Sequence, residues 1–232
     1  MRSSGATARS VGVLYLSFMA PGLPFLLYVP RLIVSGNAPA TAANILAHET
    51  AYRLSVLGWV VGHILWIYLA WSLYRLFEKT DRRQAQLMVT FVVVSVAMTL
   101  VNLINQLAPL TLLSGAEFLS PLSQSQLEAL AYASLRLHSA GTGIEFAFWG
   151  LWLLPFGILV IKSGFVPKLI GYLLILGCIG WLIQSAVSIV APAYTALAFK
   201  AAQPLVAPGE LSMMLWLLIK GGHLSLAAEA GG

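Results

Sequence analysis

Charge is scarce in this chain. Of its 232 residues only 9% are Asp, Glu, Lys or Arg, against roughly 25% in a soluble domain. Hydrophobic residues make up 59% and the mean hydropathy is +0.86. Too little polar surface exists to cover a water-soluble globule, so the implied solvent is lipid. Cysteine is almost missing: Cys178 stands alone inside an apolar run, which excludes an intrachain disulfide and a cysteine-based metal site. No HExxH or comparable ligand spacing occurs. The net charge of +5 does not imply nucleic acid as a partner, because the basic residues gather at the ends of apolar runs, as insertion into a membrane requires.

What is present is a series of apolar runs of spanning length. Crossing roughly 30 Å of hydrocarbon takes about 20 helical residues. Six spans are expected, at about 11–29, 51–74, 86–107, 141–161, 169–190 and 210–226. The fold class is therefore all-α: a polytopic six-transmembrane-helix bundle, one membrane-embedded domain over 1–232, with short interfacial helices in the outer loops. The first run follows Arg2 and Arg9 and looks like a signal peptide, but it is longer than the about 7–15 residues of a signal's apolar core. Pro21 and Pro24 are expected to kink it. Gly58 and Gly62 form a GxxxG pair for close helix packing, and Gly143, Gly150 and Gly157 repeat every seven residues along one side of the fourth span. Ser123 reads as an N-cap, with Leu127, Leu130, Ala131 and Leu135 on one side of a short interfacial helix ending at Arg136 and His138. Lys220 and His223 fall toward the far end of the sixth span, from which a lysine snorkels to the headgroups.

Orientation follows from the basic residues. With the N-terminus inside, Arg2, Arg9, Arg75, Lys79, Arg82, Arg83, Lys162, Lys168 and Lys220 are inside, and Arg31, Arg53, Arg136 and Lys200 outside. That is nine against four, which accounts for all thirteen. An excess of this size expects both termini in the cytoplasm.

Glu145 is the only ionisable residue between Gly141 and Ile161. A carboxyl on a spanning helix costs about 2.5–3.5 kcal/mol at the centre, so it is expected to face protein or water. At 100° per residue it shares a stripe with His138, Trp149, Trp152 and Phe156. His63 lies mid-span with Trp59 and Trp66 on its stripe, and Glu49 and Arg53 stand at the mouth of the second span beside His48. Asn102, Asn105 and Gln106 cluster near the end of the third, either as interhelical glue or as ligand donors. The expected ligand-binding set is Glu145, Arg53, Glu49, His138, Asn102, Asn105, Gln106, His63, Trp149 and Trp152. No metal is expected, the alternative set being His48, His138, Glu49 and Glu145, and no cofactor is implied. An interval of eleven residues separates both His48 from Trp59 and His138 from Trp149, a hint of internal repetition.

The segment Ile161-Lys162-Ser163-Gly164-Phe165-Val166-Pro167-Lys168-Leu169-Ile170-Gly171-Tyr172-Leu173-Leu174, continuing to Gly177, resembles the most recognisable part of a bacterial membrane family catalogued as domain of unknown function 4386. The basic N-terminus, the Glu49 and Arg53 mouth, the charged loop after the second span and the six-span plan extend the resemblance over nearly the whole chain. It implies a multi-spanning fold in a bacterial cytoplasmic (inner) membrane and assigns no catalytic residue.

The expected function is a polar pocket open to the outer leaflet that binds a small or lipid-like molecule, with membrane lipids as surroundings. The alternative is a structural or assembly subunit with a membrane-protein partner, its polar groups locking helices together. A metal-dependent hydrolase requires the His and Glu residues to converge from separate segments. A proton-coupled transporter working through Glu145 and His63 requires polar groups in the inner half, where the sequence has few.

Overall fold

The computed structural model describes residues 4–221, and among them the chain is a bundle of helices with no strand. Its elements are α1 (Ser4–Met19), a 3-10 turn (Ala20–Gly22), α2 (Leu23–Leu32), α3 (Ala38–Ala47), α4 (Glu49–Phe77), α5 (Arg82–Leu112), α6 (Gln124–Leu151), α7 (Leu153–Ser163), α8 (Lys168–Val190) and α9 (Thr195–Lys220). Six segments are long and apolar enough to cross a membrane: Ala8–Leu32, Glu49–Phe77, Arg82–Leu112, Gln124–Ser163, Lys168–Val190 and Pro192–Lys220. The chain is a polytopic helical membrane bundle, with exposed leucines, isoleucines and valines on the surface that lipid covers.

Each break in this pattern has a local cause. Pro21 and Pro24 lack the N–H that α1 would need to continue, so the first segment breaks into the 3-10 turn Ala20–Gly22. The displaced backbone goes to the glycine pair: a Cβ on Gly58 would run into the Pro21 carbonyl oxygen, and one on Gly62 would lie 3.0 Å from that of Phe18. Asn37 caps α3 by accepting from the Ala40 N–H at 3.0 Å, and α3 is the short helix of its connection. Ser123 caps α6 in a reciprocal capping box with Gln126. Here the structure differs from expectation, because no separate interfacial helix ends at His138; α6 runs unbroken from Gln124 to Leu151. It ends because Pro155 cannot donate to the Leu151 carbonyl, and α7 restarts after Trp152.

The last segment also differs. The sixth span was expected at 210–226, but α9 begins at Thr195, carries Pro204 and Pro208 within it, and reaches Lys220. Only ten residues separate Glu210 from Lys220, about 15 Å of helix and half a membrane. His223 lies outside the described residues.

The glycine repeat at 143, 150 and 157 does bring a backbone close, and the partner is α8. Cβ atoms there would meet Ser188 Cβ at 2.8 Å, the Cys178 carbonyl oxygen at 2.9 Å and the Gly171 carbonyl oxygen at 2.7 Å. The hairpin closes at Gly164, whose φ of +73° ends α7 in the left-handed region.

The 78–81 turn docks on the end of α7 by one ion pair. Asp81 caps α5 at the Gln84 N–H and receives Lys162 Nζ at 2.7 Å. The lysine hydrogen bond, followed by the backbone bond from Gln84, holds the Asp81 carboxyl below its usual value. A carboxyl lowered on folding stabilises the protein above its unfolded value, and the contribution disappears as pH falls through the folded value. Thermal midpoints of the wild type should therefore drop below about pH 4 more steeply than those of Asp81→Asn. Differential scanning fluorimetry across pH checks this, and parallel curves would contradict it.

Candidate functional site

Because the first segment breaks where it does, α1 and α2 cannot both stay against α9. The lower part, α1, packs on α9, whereas α2 leans on α4, and the upper part of α9 stays with α8. A chamber of about 380 Å³ opens between them at mid-height of the bundle, walled by residues of α1, α2, α4, α6, α8 and α9. It reaches His63, the middle residue of α4, and also includes His138 and Glu145. Leu23 and Leu26 on α2, with Phe199 and Leu211 on α9, line it and are also exposed on the bundle surface.

Tryptophans dominate the wall. Trp59 faces Trp149 with ring centroids 6.0 Å apart, Trp149 meets Trp181 edge-on at 5.2 Å, and Trp66 meets Trp152 edge-on at 5.5 Å. The two tryptophans at the eleven-residue interval thus pair across the chamber, but His48 sits exposed at the end of α3 while its counterpart His138 lines the wall. Two indole donors are unsatisfied: Trp66 Nε1 and Trp149 Nε1 are buried and make no hydrogen bond. Most buried N–H groups have a partner, so two orphans in the wall of one cavity are notable.

Glu145 faces inward, as its cost in lipid required, and is 2% exposed. One oxygen accepts from Thr99 Oγ1 at 2.8 Å, the other from Asn102 Nδ2 at 2.7 Å. Asn102 also donates to the His138 carbonyl at 2.9 Å, while His138 Nδ1 returns a bond to the Asn102 carbonyl at 3.2 Å, so the two residues clasp α5 to α6 reciprocally. Gly141 makes the space: a Cβ there would lie 2.5 Å from Asn102 Oδ1. His63 Nδ1 donates to the Trp59 carbonyl at 2.9 Å. Since carbonyls accept, the Nδ1 of both histidines carries hydrogen, and both side chains line the chamber.

Of the expected residues, Glu145, His138, His63, Trp149 and Trp152 come together in the wall. Asn102 stands behind Glu145 and holds it. Asn105 reaches only Asn102, at 3.3 Å. Gln106 is spent on α4: its Nε2 donates to Tyr52 Oη, which donates to the Gln106 carbonyl, both at 2.6 Å. Arg53 and Glu49 are corrections to the expected pocket. They pair with each other at 2.7 Å on an exposed face, because Arg53 is six residues from Trp59, about 120° around the helix from the chamber side. His48 is exposed and donates from Nδ1 to the Asn44 carbonyl at 2.9 Å. The alternative metal set His48, His138, Glu49 and Glu145 is not assembled, and among the described residues no three His, Cys, Asp or Glu side chains group around a common point suited to an ion.

Sequence reasoning missed Glu210. It sits within α9, lines the chamber, and accepts from Tyr15 Oη of α1 at 3.1 Å through Oε2. Read as the start of a span it looked like an interfacial residue. The signal was the distance to Lys220, too short for a crossing, which requires the apolar segment to begin before Glu210 and puts this residue inside it. Trp66, Trp181 and Gln203 also belong to the wall.

The chain belongs to the family described as Domain of unknown function (DUF4386), whose model matches residues 10–221. No curated protein and no solved structure matches it.

Proposed function

We propose that this member of the domain of unknown function 4386 family holds a small amphipathic or lipid-like molecule in the mid-membrane chamber. The observation that carries the reading is a 380 Å³ aromatic cavity walled by Trp59, Trp66, Trp149, Trp152 and Trp181, with few polar side chains among them. Ligand cavities are typically about 300–1,000 Å³, mostly apolar, with few polar groups. The exposed rim formed by Leu23, Leu26, Phe199 and Leu211 lies on the lipid-facing surface, which favours entry from the bilayer. A bacterial cytoplasmic membrane with both termini inside belongs to the same reading, since Arg75, Lys79, Arg82, Arg83, Lys162 and Lys168 cluster about the turns at one end.

An assembly role is the second reading, favoured by polar groups such as Gln106 and Tyr52 that are consumed in locking helices. Triphenylphosphine oxide, a neutral aryl molecule with one strong acceptor, separates the two. In nanodiscs it should quench tryptophan fluorescence saturably, with a dissociation constant that a lipid-partitioning molecule would not show. Quenching that only rises linearly with lipid partitioning overturns the ligand reading, and one fixed co-purifying protein partner then supports assembly.

A further inference from the structure

The chamber wall holds two carboxyl groups, Glu145 and Glu210, two histidines, His63 and His138, each with Nδ1 turned to a backbone carbonyl, and among the described residues neither Lys nor Arg. Neither acid has a cationic partner: the ion pairs of the described residues are Arg53 with Glu49 and Lys162 with Asp81, both at the ends of the bundle. Each acid is instead held by neutral donors. Thr99 and Asn102 give one hydrogen bond to each oxygen of Glu145, and Tyr15 gives one to Glu210, whose Oε1 has none. These bonds orient the carboxyl groups while leaving acceptor capacity unused. An ionised carboxylate in an apolar interior is costly without an opposite charge, and no Lys or Arg among the described residues pairs with either acid.

The rest of the wall has the complementary property. Trp59, Trp66, Trp149, Trp152 and Trp181 all contribute to it, and indole faces attract cations more strongly than other aromatic rings do. Aromatic cages of this kind suit ammonium or phosphonium groups, whose charge is spread under a hydrocarbon surface. Two acids and five indoles, with no Lys or Arg beside them among the described residues, form one consistent recognition surface.

From these observations, and resting on the chamber reading above, we propose that the ligand is a lipophilic organic cation, an amine or quaternary ammonium amphiphile taken from the lipid phase, with Glu145 and Glu210 as its counter-charges and the tryptophans as its cage.

The test compares methyltriphenylphosphonium with triphenylphosphine oxide, two molecules of nearly the same shape that differ in charge, on the full chain in nanodiscs of zwitterionic lipid. Tryptophan quenching should give a dissociation constant about tenfold lower for the cation. Glu210→Gln should weaken the cation about tenfold and leave the oxide within about twofold. Glu145→Gln should behave likewise, with its folded state checked by thermal midpoint, and the wild-type comparison needs no variant. Oxide binding as tight as the cation overturns the charge preference and leaves the chamber reading standing. Equal weakening of both molecules by the Glu→Gln substitutions overturns the counter-charge role, and saturable binding of neither removes chamber and cation together.

Discussion

Gly150→Ala should destabilise the protein by about 1–3 kcal/mol, the usual cost of forcing an extra methyl into a packed interior, or roughly 2–10 °C in thermal midpoint for a chain of this size. The added Cβ would stand 2.9 Å from the Cys178 carbonyl oxygen and 2.9 Å from Trp181 Cβ. The first of these is backbone in the middle of α8 and has no rotamer through which to retreat, so α6 and α8 must part. Displacing Trp181 also moves a chamber wall, since its ring stacks on Phe146 at 5.1 Å and meets Trp149 at 5.2 Å. The substitution is thus expected to weaken triphenylphosphine oxide binding as well as stability. Gly115→Ala is the control. Gly115 has a φ of +72° with nothing within 4 Å of the added atom, so its cost is backbone strain alone, about 1–2 kcal/mol, without effect on binding. Both changes lower the midpoint, so oxide binding distinguishes the two; unfolding followed by circular dichroism in detergent checks the loss, and an unchanged midpoint for Gly150→Ala would mean that α8 is not held against this stripe.

How much of this was legible in the sequence depended on whether one helix sufficed to decide it. A spanning helix declares itself by length and hydropathy, and a seven-residue glycine stripe declares a close neighbour, because both are properties of a single segment. Glu145 was likewise expected inward on cost alone, whichever helix received it. The identity of its partners was not legible: Thr99 and Asn102 lie 46 and 43 residues away, and nothing local separates an amide that holds a carboxyl, such as Asn102, from one consumed by a tyrosine, such as Gln106. Arg53 illustrates the reverse error. Proximity to a helix mouth suggested an anchor, but an i,i+4 partner in Glu49 satisfied it on the exposed side. Glu210 was hidden by its prolines. Pro204 and Pro208 read as a loop, although both are accommodated inside α9, and placing the span too late moved to the surface an acid that lies within the apolar segment.

Asn102→Leu should have an effect of similar size for a different reason. Leucine has the same number of side-chain heavy atoms as asparagine and the same branching at Cγ, so the change chiefly removes hydrogen bonding. One Glu145 oxygen loses its donor at 2.7 Å, while the His138 carbonyl loses Asn102 at 2.9 Å and keeps Thr142 Oγ1 at 3.0 Å. A buried acceptor left without a partner costs about 1–3 kcal/mol, more where it carries charge. Glu145→Gln with Asn102 intact should cost less, since the amide oxygen can still accept from Asn102 and the amide nitrogen can donate to Thr99 Oγ1. The pair is therefore best read in a double-mutant cycle. Glu145→Leu combined with Asn102→Leu removes both ends of the bond at once, so the double variant should be more stable than the sum of the single losses predicts, by about 0.5–3 kcal/mol. Strict additivity in thermal or denaturant unfolding would show that Asn102 and Glu145 stabilise α5 against α6 independently, and the clasp described here would not then be what keeps a carboxyl inside the bundle.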